Sequence, residues 1–136
     1  MNRKILLYVA AFLSFLFALL HLAFWEMFNW SEELKSVTIA TAGILQIFNI
    51  ASIYMLIYFA SITVYIALKN KSDMMTNFIL IFVAGYFVIR VITGYFYFGI
   101  SVTEIIIWLV CLITAALYIL PIFIKDSTAV TGQNPQ

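Results

Sequence analysis

A histidine, an arginine and a few carboxamides and carboxylates stand within or beside the otherwise apolar runs of this chain, and any chemistry must start from them. His21 closes the first run, with Glu26 just beyond it. Gln46 and Asn49 lie in the second, Arg90 in the third, and Glu104 opens the fourth. A histidine beside a carboxylate can move protons near neutral pH. An arginine can hold a carboxylate or phosphate through a planar fork of donors. Carboxamides both donate and accept, so they can orient a polar ligand. Together His21, Glu26, Gln46, Asn49, Arg90 and Glu104 suit an amphipathic molecule, lipid-like or anionic. No nucleophile, base and orienting group recur at a telling spacing, and no Walker, dinucleotide or zinc-protease motif occurs. One His with scattered Glu is no metal motif. Neither a metal nor an organic cofactor is expected.

The elements that must position these residues follow from composition. Of 136 residues, 65% are hydrophobic and 10% charged, with a mean hydropathy of +1.10. A soluble domain carries about 25% charged residues. A soluble fold of this size could not hide so much apolar surface, so the expected solvent is lipid. The net charge of +1 offers no basic face for nucleic acid. The single cysteine, Cys111, excludes an intramolecular disulfide, a multi-cysteine metal site and redox chemistry that needs a cysteine pair in one chain.

Four apolar runs are long enough to cross a bilayer, which takes about 20 helical residues. They cover about 5–25, 38–68, 78–98 and 104–124, and predict an all-α, polytopic membrane protein with a four-helix transmembrane domain over 1–126. A strand-built barrel is excluded, since its strands are about 10 residues long and alternate in polarity. The second run would be roughly 46 Å long as a helix, so it must tilt or protrude. The start resembles a signal peptide in its basic Arg3-Lys4, but its apolar run exceeds the usual 7–15 residues and bulky aromatics follow it. Ser31 is a candidate cap for a short interfacial helix in the first loop, and residues 127–136 read as a disordered cytoplasmic tail.

Lysine and arginine gather on the cytoplasmic side of membrane proteins. Of seven such residues, Arg3, Lys4, Lys69, Lys71 and Lys125 fall on one side of a four-span fold and Lys35 on the other, with Arg90 inside a span. Both termini are therefore expected in the cytoplasm, with the protein in the cell membrane. Counting along each span then places His21, Gln46, Asn49, Arg90 and Glu104 in the outer half of the bilayer, His21 roughly 10 Å and Arg90 roughly 12 Å deep. Arg90 needs a partner there. Glu104 is the first candidate and Glu26 the second. Each residue also has a plainer role: His21 in packing, Gln46 and Asn49 as interhelical glue, Arg90 with Glu104 as a structural clamp. Trp25, Trp30 and Trp108 read as interfacial belt residues, and Cys111 as an inert buried thiol.

His21, then Glu26-Met27-Phe28 and Trp30, then Gln46 and Asn49 on the next helix, resemble small uncharacterised four-helix bacterial membrane proteins. That resemblance covers about the first third and the four-span layout, and implies a compact bundle without an assigned activity. His21-Leu22 with Glu26, and Leu117-Tyr118-Ile119-Leu120-Pro121 closing the last run, are similar to the emopamil-binding sterol isomerase family. This implies a histidine and acidic groups that move a double bond. Gln46 stands where an acid is wanted, and Thr114 and Leu117 near where that family has Asn and Trp. The leading expectation is a binding or accessory protein whose outer-half pocket takes a lipid-like or anionic ligand or a membrane partner. The alternatives are a membrane enzyme with His21 as acid and base, and a small transporter built as a homo-oligomer.

Overall fold

Each long helix begins behind a residue able to cap it. The structure, a computed structural model, describes residues 2–124. Asn2 precedes α1 (Arg3–Met27), Thr38 precedes α3 (Ile39–Lys69), Asp73 precedes α4 (Met74–Phe98) and Ser101 precedes α5 (Val102–Phe123). Their side chains accept backbone N–H bonds from Lys4, Thr41, Thr76 and Glu104 at 3.0, 3.2, 2.7 and 3.1 Å. Such a cap contributes about 1 kcal/mol, by satisfying a donor that the helix leaves open. These caps explain why α1, α4 and α5 start two to four residues before the uncharged runs do, and α3 one residue after Thr38. The short α2 (Trp30–Glu33) sits between α1 and α3, followed by a 3-10 turn over Leu34–Ser36. Its cap is Asn29, in the left-handed region at φ 45°, rather than Ser31, whose hydroxyl donates to Asn29 Oδ1.

Among the described residues the fold is all-α, and α1, α3, α4 and α5 are each long and apolar enough to cross a membrane. The tail expected at 127–136 lies outside the described residues. Turns are tight. Asn70, at φ 50°, ends α3 in a Schellman arrangement, with the Lys71 N–H on Ile66 O. Gly99, at φ 65°, ends α4, and α5 begins three residues later behind its cap Ser101.

Packing order around the bundle is α3, α1, α5, α4, and α3 meets α4 only sparingly. Helix α1 supplies the small surfaces that let its neighbours approach: Ala10, Ser14 and Ala18, at i, i+4 and i+8, are all buried. Ala10 and Ala18 share one core cluster with Leu56, Phe59 and Ile66 from α3, Leu80, Val83 and Phe87 from α4, and Cys111, Ala115 and Tyr118 from α5. A polar knot crosses this core. The Tyr118 hydroxyl lies 2.7 Å from Ser14 Oγ and accepts from Thr63 Oγ1 at 3.3 Å, so α1, α3 and α5 share one network.

The close-packed region is confined to one end. Residues 3–18, 56–67, 76–87 and 111–121 hold all the buried positions but one. All four segments lie toward the end that carries Arg3. Arg3 closes that end: it is 1% exposed, and its Nε donates to Pro121 O at 3.2 Å while Nη2 donates to Lys71 O. Pro121 O is one of the carbonyls left open by the end of α5, which favours a cation. Toward the opposite end, where Glu104 opens α5, the one buried residue is Gly94.

Candidate ligand-binding site

The residues singled out from the sequence all lie toward the loosely packed Glu104 end. Helix α4 buries a stripe at 76, 80, 83, 84, 87 and 94. Arg90 stands beside that stripe, four residues before Gly94. Ser101 caps α5 and so fixes Glu104 in its first turn, where a carboxylate is favoured by the helix dipole. Ser-x-x-Glu at 101–104 has the form of a capping box. Its carboxylate does not close the box. It turns to Arg90, with Nη2 and Oε2 3.8 Å apart. That is an ion pair at the edge of the range and too long for a hydrogen bond. The two side chains are 32% and 12% exposed.

Gly94 is the seat of this arrangement. A Cβ there would collide with Arg90 Nη1, stand 2.8 Å from Trp108 Nε1 and 3.3 Å from Glu104 Oε2. Three polar atoms thus converge on one bare backbone position. Two of them, Trp108 Nε1 and Glu104 Oε2, are buried without a hydrogen-bond partner among the described residues. Trp108 is therefore not simply a belt residue. Its indole lies 6.0 Å from the Tyr95 ring and its N–H points inward to the cluster. Trp25 and Trp30, by contrast, meet edge to face at 6.2 Å at the bundle's end. The Arg90 guanidinium also stands over the Phe98 ring at 5.6 Å.

His21 and Asn49 form a second pair on α1 and α3. Asn49 Nδ2 donates to the backbone carbonyl of His21 at 3.1 Å, and Asn49 Oδ1 is buried without a hydrogen-bond partner among the described residues. His21 Nδ1 lies 2.9 Å from Phe17 O, which can only accept, so Nδ1 carries the proton and Nε2 presents a lone pair. Its ring stacks on Phe24 at 4.5 Å. Gln46 makes no hydrogen bond among the described residues, and Glu26 is exposed with no ion pair there.

Sequence reading gave Gly94 no part and took Trp108 for a belt residue. The available signal was spacing: each lies four residues from its charged partner, Arg90 or Glu104. Arg3 gave no signal at all, since a basic residue at the start of a span reads as an interfacial charge.

Chemically, the α4–α5 pair offers two donors, Arg90 and Trp108, and one acceptor, Glu104. The α1–α3 pair offers two acceptors, His21 Nε2 and Asn49 Oδ1. Such a set can bind and orient a polar head. Compared with family models, curated proteins and solved structures, the chain matches none.

Proposed function

We propose that this chain is a multi-pass protein of the cell membrane, with both termini cytoplasmic, that binds a lipid-like molecule through the cluster at its outer end. The observation that carries this reading is the convergence of Arg90, Glu104 and Trp108 on Gly94, with hydrogen-bonding capacity left unmet. A buried polar atom without a partner costs about 1–3 kcal/mol, so a ligand that supplies the partner recovers that loss on binding. The loose packing of the same end supports entry from the outer leaflet.

The test is native mass spectrometry of gently purified protein, wild type against Arg90→Ala. A small molecule retained by the wild type and lost in the variant is expected. Bare wild-type protein, with the variant merely less stable, would leave Arg90 as a structural clamp and overturn the reading.

A second reading, a membrane enzyme with His21 as acid and base, draws on the free Nε2 of His21. It predicts that His21→Ala abolishes turnover of the retained molecule while leaving its binding intact.

A further inference from the structure

We infer that the head this site takes is an uncharged hydroxyl-bearing one, with its chain laid in the groove between α3 and α4. This rests on the binding function proposed above and narrows its ligand.

Charge is the first argument. Arg90 and Glu104 cancel, so an anionic head would gain at one and be repelled by the other at nearly the same distance. Hydrogen bonding is the second. At Gly94 one buried donor, Trp108 Nε1, and one buried acceptor, Glu104 Oε2, are unmet among the described residues, and the Arg90 guanidinium beside them is a second donor, 3.8 Å from Oε2. The group that complements two donors and one acceptor is a hydroxyl, with two lone pairs and one hydrogen. Nη2 and Oε2 are 3.8 Å apart. An oxygen at roughly 2.8–2.9 Å from each bridges that gap at ordinary hydrogen-bond lengths. The lack of a Cβ on Gly94 is what lets all three groups meet. Arg90, the more exposed member of the ion pair, admits the head by rotating toward Phe98, over which it already stands.

The chain's path is the third argument. A groove of about 240 Å³ lies between α3 and α4, lined by Tyr58, Phe59, Phe78, Ile79, Phe82 and Val83. Phe82, Tyr86 and Arg90 follow one another at i+4, so the α4 face that lines the groove continues to the cluster. From Arg90 to Phe78 is roughly 18 Å along the helix, the reach of a long acyl or isoprenoid chain. The α3–α4 seam is also the one where these neighbouring helices touch least.

The experiment titrates the purified chain with dioleoylglycerol and, separately, with dioleoyl phosphatidic acid, which share their chains and differ in the head. Binding is read by native mass spectrometry. Dioleoylglycerol should bind the wild type at least as tightly as phosphatidic acid does. Glu104→Gln should weaken dioleoylglycerol about tenfold, since a charged acceptor is lost. Ile79→Trp, which fills the groove and leaves the cluster untouched, should weaken it several-fold. Tighter binding of phosphatidic acid, improved further by Glu104→Gln, would overturn the uncharged head while the outer-end binding function stands. Dioleoylglycerol binding that neither substitution alters would overturn the placement of head and chain. No binding of either lipid, with bare native spectra, would overturn both this inference and the binding function.

Discussion

Gly94 and Arg3 show how single residues set the character of the two ends. Gly94→Ala places a methyl group in collision with Arg90 Nη1 and 2.8 Å from Trp108 Nε1. Such overpacking costs about 1–3 kcal/mol. The expected result is a lower midpoint of thermal unfolding in detergent and a changed Trp108 emission; an unaltered emission would mean that Trp108 does not lie against Gly94. Arg3→Met leaves Pro121 O and Lys71 O without their donor. Losing charged-donor bonds at a buried position should cost about 3 kcal/mol. Arg3→Lys should rescue only part of this, because one ammonium lacks the guanidinium's spread of donors. Full rescue by lysine would show that charge alone matters. Asp73 gives the start of α4 a pH dependence. The backbone N–H of Thr76, then its hydroxyl, holds the Asp73 carboxyl below its ordinary value of 3.8. A depressed carboxylate contributes stability above its unfolded value and loses it as pH falls through the folded one. The advantage of wild type over Asp73→Asn should therefore be full above about pH 4 and shrink below it. A gap that does not change with pH would contradict the cap's charge dependence.

At the scale of elements, the unequal packing of each helix predicts unequal protection. Amides in residues 7–18 and 56–67 should exchange far more slowly than those in 20–27 and 39–50, because only the former sit in the packed core. Uniform exchange along α1 and α3 would contradict that difference. The helices themselves were legible in the sequence, because nothing but helix spans lipid in uncharged runs of this length. The Arg90–Glu104 approach was legible too, since depth along each helix follows from counting residues. The Tyr118 knot was not. Ser14 and Thr63 bond their own helix carbonyls, Ala10 O at 3.1 Å and Phe59 O at 2.6 Å, as hydroxyls in helices commonly do. Nothing in their spacing marks those that also reach a neighbouring helix. Tyr118→Phe should cost about 0.6–2 kcal/mol, the range for such interhelical bonds.

For the molecule as a whole, orientation rests on five basic residues against one. Single cysteines in a Cys111→Ala background test it: a cysteine at Lys71 should be shielded from an impermeant thiol reagent in intact cells, and one at Ser36 should react. The reverse pattern would invert the bundle and turn the cluster toward the cytoplasm.

The Arg3 closure bears on how the chain is put together. Its carbonyl partner on Pro121 is 118 positions away, and the Ser14–Tyr118 bond spans 104. Both α1 and α3 therefore precede the helix that completes their polar contacts. Until α5 docks, Arg3 lacks the Pro121 carbonyl and Ser14 lacks its tyrosine. The cost of withdrawing the guanidinium from water is thus met late, when the final helix arrives. A chain ending before α5 would keep a wet, protease-accessible start, so arrival of the last helix becomes the event that matures the first.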